Sequence, residues 1–428
     1  MTNNNSSDWQ NYQVDHLFLL IGENPLPNYV AARLMLKQGG TPYLVHTTDT
    51  EKQAKRLEKI LSDEGIKTTQ LVSLNDNESD AYHIRETIRP KLEAIKDGKI
   101  GLNYTGGTKA MAVHAYRTVF SSKQHSDTVF SYLDPRKLEM CIDREDSDRI
   151  PIKVKPELLE LKLVNLFQIH GLKLEGKPTP EAQLPELAVA LAQVFKDDNK
   201  AKQWFDWYFN VFCEKARKKK NGNWGDWKSK TTLSALSISL EKLPSEIEAE
   251  FKRENLINSD SQLSMQAVQQ LKTENNEPIF KEIEHFCKYL DGLWLEHHVL
   301  QQVKNIADQN SIKDYGLNFK VPLPGTKEGF EFDVAFTRGY QLFAISISTT
   351  SKRDLCKLKL FEAYLRARQM GGDEARVALI CCTNEPDTLK AEMALIGDKK
   401  IAVFGREHLR DLPKKIEEWI KQADKDAR

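Results

Sequence analysis

From His16 to Ile21 the chain is continuously apolar and stops at Gly22, which predicts a central parallel strand buried on both faces. Tyr29 to Lys37 then carries apolar residues at helical spacing, and Thr41 to His46 reads as a second strand. The alternation continues: a helix over Glu51 to Glu64, a strand over Thr68 to Ser73, a helix over Ile84 to Asp97, a strand over Ile100 to Tyr104 and a helix over Lys109 to Phe120. Thr128 to Leu133 and Glu139 to Ile142 read as a closing hairpin. Strands and helices alternating at these lengths predict a doubly wound, Rossmann-like α/β sheet.

From Pro151 to Asn276 the pattern becomes Lys-rich, Trp-rich and mainly helical, with a loop at 218–227, and reads as a connecting or inserted region. Beyond it a long helix from Ile279 to Ile306 precedes strands near Leu317 to Val321, Phe330 to Thr337 and Leu342 to Ile347. A helix from Lys352 to Gln369, strands at Arg376 to Cys382 and Ile401 to Phe404 and a closing helix complete a second α/β unit of different order. The expected division is 1–150, 151–276 and 277–428, in keeping with a length of 428 residues.

Composition narrows the function classes. With 62 basic and 62 acidic residues the net charge is zero, so any site for a polyanion must be local. The polar start and the lack of a long apolar run predict a cytoplasmic protein with no membrane span. Six cysteines never form a CxxC pair, which favours buried free thiols over disulfides or zinc.

In an open parallel sheet ligands sit beyond the carboxyl ends of the strands. Two loops occupy that edge: Gly22-Glu23-Asn24-Pro25-Leu26-Pro27-Asn28 after the first strand and Asn103-Tyr104-Thr105-Gly106-Gly107-Thr108-Lys109 after the fourth. The glycines of the second permit close backbone approach, Thr105 and Thr108 offer hydroxyls, Lys109 offers a cation, and the following helix N-terminus favours an anion. The prolines stiffen the first loop, and its asparagines suit a base or sugar edge, although Asn28 would serve equally as a helix N-cap. Thr47, Thr48 and Thr50 end the second strand at the same edge as outer contacts, with Thr48 or Asp49 alternatively capping the next helix.

These paired motifs resemble the CARF domain, the sensor of cyclic oligoadenylates in type III CRISPR defence. The resemblance covers about the first 150 residues. It implies a homodimer with the ring-shaped ligand across the two-fold axis, cyclic tetra-adenylate being expected ahead of cyclic hexa-adenylate. Cleavage of the messenger by Lys109 and the threonine hydroxyls is an open alternative.

The C-terminal segments 292–299, 330–336 and 342–348, followed by a Lys-rich helix and Gly371-Gly372, resemble the PD-(D/E)xK nuclease fold. That resemblance implies Mg or Mn held by carboxylates and DNA or RNA as substrate. Asp333 matches the strand Asp and Glu296 the acid of the preceding helix, but Ser346-Ile347-Ser348 stands where Glu-x-Lys is expected. Two hydroxyls cannot neutralise a metal ion. In some restriction enzymes of this fold the Glu has moved to the following helix, which would make Glu362 the second metal ligand beside Asp333, with Lys357 or Lys359 replacing the lost lysine. The alternative is a degenerate fold that binds without cleaving. His297 and His298 lie beside Glu296, but neighbours on a helix point in different directions, so at most one could join it. The basic run Arg217 to Lys220, near Trp224 and Trp227, is a candidate for tracking a phosphate backbone, or else a solvated loop.

Overall fold

The computed structural model describes residues 9–122, 127–322, 329–394 and 400–427. The polar start at 1–8 lies outside them. Two sheets dominate. The N-terminal one has strands β1 (Val14–Leu20), β2 (Leu36–His46), β3 (Gln70–Ser73), β4 (Ile100–Asn103), β5 (Val129–Asp134), β6 (Glu139–Ile142) and β7 (Ile150–Lys153). Helices α1 (Leu26–Met35), α2 (Glu51–Asp63), α3 (Ala81–Ala94) and α4 (Lys109–Phe120) connect its parallel part.

The strand order is β3-β2-β1-β4-β5-β6-β7, with β1 to β5 parallel and β6 and β7 returning antiparallel. The chain winds outward from β1 to β3, then α3 carries it back to lay β4 on the other side of β1. The point of reversal lies between the carboxyl ends of β1 and β4, which is where a doubly wound sheet opens a crevice. β7 extends the first unit past the boundary expected at 150, and β2 starts earlier than its hydrophobic run because Lys37 to Gly40 bulge out between paired residues.

The connecting region starts with helix α5 (Leu163–Ile169) and helix α6 (Pro185–Lys196). It includes two small antiparallel pairs, β8 (Arg217–Lys220) with β9 (Asn223–Trp227) and β10 (Ser237–Ser239) with β11 (Gln262–Ser264). The segment expected as a loop at 218–227 is therefore a hairpin, closed at Asn221 and Gly222, both with positive φ (52° and 78°). An Asn-Gly pair in this conformation forms the tight turn that suits strand twist.

The long helix expected over 279–306 is broken. Ile283–Lys288 and α7 (Trp294–Ile306) flank an irregular turn at Tyr289–Leu293, where Gly292 leaves helical geometry. A methyl group on Gly292 would lie 3.1 Å from Oγ1 of Thr349, so the break lets the helix approach the second sheet closely. That sheet runs β12 (Ile312–Pro322), β13 (Gly329–Arg338), β14 (Gln341–Ser348), β15 (Arg376–Cys381), β16 (Ile401–Phe404), antiparallel up to β14 and parallel after it. Helix α8 (Arg353–Gly371) links β14 to β15, and α9 (Leu412–Asp426) closes the chain.

Apolar packing joins these parts. One core runs from α6 and the buried Trp204 and Trp207 through α7 to Phe336, Phe343 and Trp419, so the connecting region and one face of the second sheet share an interior. A second core joins the first sheet, α5 and the opposite face of the second sheet, with Phe167 stacked on Phe319. No helix among the described residues is long and apolar enough to cross a membrane. All six cysteines are buried and free.

Candidate functional site

At the crevice the loops after β1 and β4 pack directly on each other. A methyl group on Gly22 would lie 3.0 Å from the Gly107 nitrogen, and one on Gly106 would fall onto the Leu20 carbonyl oxygen. Gly107 has φ +73°. Bare backbone is thus required on both sides of the seam. Asn28, fully buried, donates from Nδ2 to the Leu20 carbonyl at 2.9 Å, while its Oδ1 has no hydrogen-bond partner among the described residues. It is not a helix N-cap: α1 begins at Leu26 behind Pro25, and Oδ1 of Asn24 accepts the Leu26 N–H at 3.0 Å.

Most polar groups of the second loop hold the loop itself. Buried Asn103 donates to Ser131 Oγ at 3.0 Å, and Oγ1 of Thr105 accepts the Leu133 N–H at 2.7 Å. Thr108 caps α4, accepting the Met111 N–H at 3.1 Å and donating to the Glu78 carbonyl at 3.1 Å. Thr47 and Thr50 bond one another at 3.1 Å and are buried, and it is Thr50 that stands at the start of α2, leaving Thr48 and Asp49 exposed. Lys109 and Glu23 are exposed and make no hydrogen bond or ion pair among the described residues. With both threonine hydroxyls of the second loop engaged, the groups that stay available at the crevice among the described residues include the Lys109 cation, the Glu23 carboxylate and the first N–H groups of α4 that the Thr108 cap does not take. Such a set binds and orients a phosphate-bearing ligand.

The second site opens where β13 and β14 separate. Their pairing ends at Val334 and Ile345, and the Asp333 carboxylate takes over the backbone beyond that point. Its Oδ2 accepts the Ile347 N–H at 2.5 Å and the Ser346 hydroxyl at 3.4 Å. Lys359, from α8, donates to the Ile347 carbonyl at 2.7 Å and stands 3.9 Å from Asp333 Oδ2. A cavity of about 360 Å³ is lined by Asp333, Ser346, Lys359, Glu362, Glu331 and Lys320, among others. A smaller one on the far side of Lys359 holds Glu296, Ser348 and Asp291. Burial pushes the Asp333 carboxyl up, against the lowering effect of Lys359, and burial followed by the nearby Asp333 charge pushes Glu296 up further.

The structure therefore brings Asp333, Ser346 and Glu362 to one cavity, with Glu296 and Ser348 just beyond it. Lys357 does not join them; its ammonium pairs with Glu392, and Lys359 is the lysine that reaches the pocket. Helical periodicity could not choose between the two, because α8 carries large apolar residues on its exposed side as well, Leu358 and Leu365 among them. His297 accepts the Gln183 N–H at 3.0 Å and His298 faces the Leu409 carbonyl at 3.1 Å, so the histidines turn away from Glu296. Burial pushes both down to about 4. Among the described residues no group of three or more His, Cys, Asp or Glu side chains could hold a metal ion. Asp333 and Glu362, the pair expected to hold one, line the same cavity, where Asp333 Oδ2 already faces backbone, hydroxyl and ammonium donors.

The basic run is also less available than its sequence suggests. Arg217 reaches Asp291 at 2.5 Å and lies over the Trp227 ring at 3.7 Å, while Lys219 pairs with Glu214 at 2.7 Å above Trp224. The aromatic faces are covered by the hairpin's own cations.

Residues 17–159 match the family model described as the Card1 CARF domain. No curated protein matches the chain. Among solved structures, protein VC1899 from Vibrio cholerae aligns with a TM-score of 0.67 at 18% identity, covering 95% of this chain and 98% of that one. Can2 from Sulfobacillus thermosulfidooxidans, solved in complex with cyclic tetra-adenylate (cA4), aligns with a TM-score of 0.64 at 16% identity, covering 96% and 98%. At such identities the likeness is one of fold, and it extends across both sheets.

Proposed function

We propose that this chain is a CRISPR accessory protein that binds a cyclic oligoadenylate, cyclic tetra-adenylate ahead of cyclic hexa-adenylate, between the N-terminal domains of a cytoplasmic homodimer. The observation that carries this reading is the seam between the two loops: it lies at the reversal point of the sheet, inside the CARF match, with Lys109 exposed at the start of the Thr108-capped helix α4. The cA4-bound Can2 neighbour supports the ligand class. Exposed apolar residues on α4, Val113 and Phe120, support a second copy on that face. Lys109 and the α4 N-terminus would hold phosphate, and Glu23 and Asn24 would meet base or sugar edges. Ligand can drive a response only by binding one domain arrangement better than another.

For the C-terminal domain the reading we favour is a gated binding module with a degenerate nuclease pocket, because Ser346 and Ser348 supply no charge and Asp333 is internally bonded. A second reading, a metal-dependent nuclease using Asp333 and Glu362, draws on the cavity those two share. The deciding experiment adds cyclic tetra- or hexa-adenylate and manganese to the wild type and to Asp333→Ala, with RNA, single-stranded DNA and plasmid as substrates. The favoured reading expects ligand binding without cleavage, and ligand-stimulated cutting that Asp333→Ala abolishes would establish the second. In the same titration Lys109→Met should weaken ligand binding roughly 10- to 100-fold, as loss of a charge-assisted contact does. Its melting temperature should not move, because Lys109 makes no hydrogen bond or ion pair among the described residues; unchanged affinity would sink the assignment of this loop.

A further inference from the structure

We infer that Lys359 is the resident cation of the C-terminal pocket, standing between the Asp333 carboxylate and the Ile347 carbonyl where a divalent ion would need to bind, so that the pocket works without metal. The inference deepens the binding-module reading of this domain and is independent of the ligand assigned to the sensor.

Three observations converge. The ammonium is placed by a hydrogen bond of 2.7 Å to the Ile347 carbonyl and stands 3.9 Å from Asp333 Oδ2, so it faces the two oxygen donors at the deep end of the cavity. The rotation of α8 that puts it there is supported by Arg353 and Lys357, earlier on the helix, which both pair with Glu392. The remaining acids do not assemble a competing cage: Glu331 faces Lys320 at 3.5 Å, Glu175 and Glu362 are exposed, Asp291 pairs with Arg217, and Glu296 lines the cavity on the far side of Lys359. On β14 the neighbouring side chains are hydroxyls, which cannot offset the charge of a second cation.

A divalent ion entering this position would meet the ammonium at contact range, where like charges repel strongly. It could bind only after the lysine left. Oxygen donors such as the Asp333 carboxylate and the Ile347 carbonyl are the type that Mg²⁺ and Mn²⁺ accept. Removing the ammonium should therefore leave a metal site rather than an inert hole.

Manganese titrated into the ligand-free full chain by calorimetry tests this. Wild type and Lys359→Arg should take up no manganese that depends on Asp333. Lys359→Met should bind one ion per chain at least tenfold more tightly than wild type, and Asp333→Asn added to it should abolish the gain. A wild-type manganese site lost in Asp333→Asn overturns the inference, as does a folded Lys359→Met that binds no better than wild type. Lys359→Gln, which keeps a polar group against Ile347, repeats the measurement if the Met variant does not fold. A sensor that failed to bind any cyclic oligoadenylate would leave each of these outcomes as informative as before.

Discussion

At Gly372, which has φ +67°, a methyl group would lie 3.0 Å from Oε2 of Glu374 and 3.2 Å from Nδ2 of Asn24, so a residue of the sensor loop and a carboxyl of the C-terminal domain converge on one bare Cα. Glu374 is 2% exposed, its Oε1 has no hydrogen-bond partner among the described residues, and burial pushes it up to about 8 from 4.5. A carboxyl whose pKa is higher folded than unfolded holds its proton better in the native state. Its contribution to stability is complete below about 4.5 and is lost as pH rises through about 8. Relative to Glu374→Gln, the wild type should therefore lose stability on the order of a few kcal/mol between about pH 5 and pH 8. Urea unfolding of both proteins across that range measures it, and parallel pH profiles would show that Glu374 is not the group responsible.

Among the elements, α4 combines two roles. Its N-terminus is capped by Thr108 at the ligand edge, while Val113 and Phe120 are 61% and 52% exposed along its length. If that face meets a second copy, Val113→Glu with Phe120→Glu should yield monomers by light scattering and lower ligand affinity at least tenfold, with the melting temperature little changed; a dimer that persists would place the interface elsewhere. The first sheet was legible because buried parallel strands appear as unbroken apolar runs, and β1 and β4 end at Gly- and Asn-rich loops that share the crevice. Other elements were hidden for physical reasons. The β8–β9 hairpin is charged and exposed on its Lys residues, so only the Asn221-Gly222 turn signalled it. The break at Gly292 sits against Thr349, more than fifty residues away, a neighbour that only the fold supplies. At the C-terminal pocket the sequence identified Asp333, Ser346 and Glu362, but the facing of Lys357 and Lys359 depends on Glu392 and Ile347, partners that only the fold supplies.

For the whole molecule the decisive fact is that chain from outside 277–428 joins the cores on both faces of the second sheet, beside the sheet's own helices α7, α8 and α9. Phe195 and Trp207 lie in the core on one side and Phe167 packs on the other. A fragment starting at Glu277 should expose both faces and aggregate, whereas one starting at Lys155 should melt cooperatively; cooperative melting of the shorter fragment would refute a shared interior. Helix α8 binds this body to the sensor in a second way. It carries Lys359 and Glu362 at the pocket and ends at Gly371, next to the Gly372 on which Asn24 rests. From Lys359 to Gly371 the axis covers about 18 Å at 1.5 Å per residue. Pivoted at its glycine end, a tilt of about 10° would swing the lysine by about 3 Å, comparable to the length of a hydrogen bond. A tilt of α8 at the bare Cα beside the sensor loop would thus be felt at the ammonium seated toward its other end.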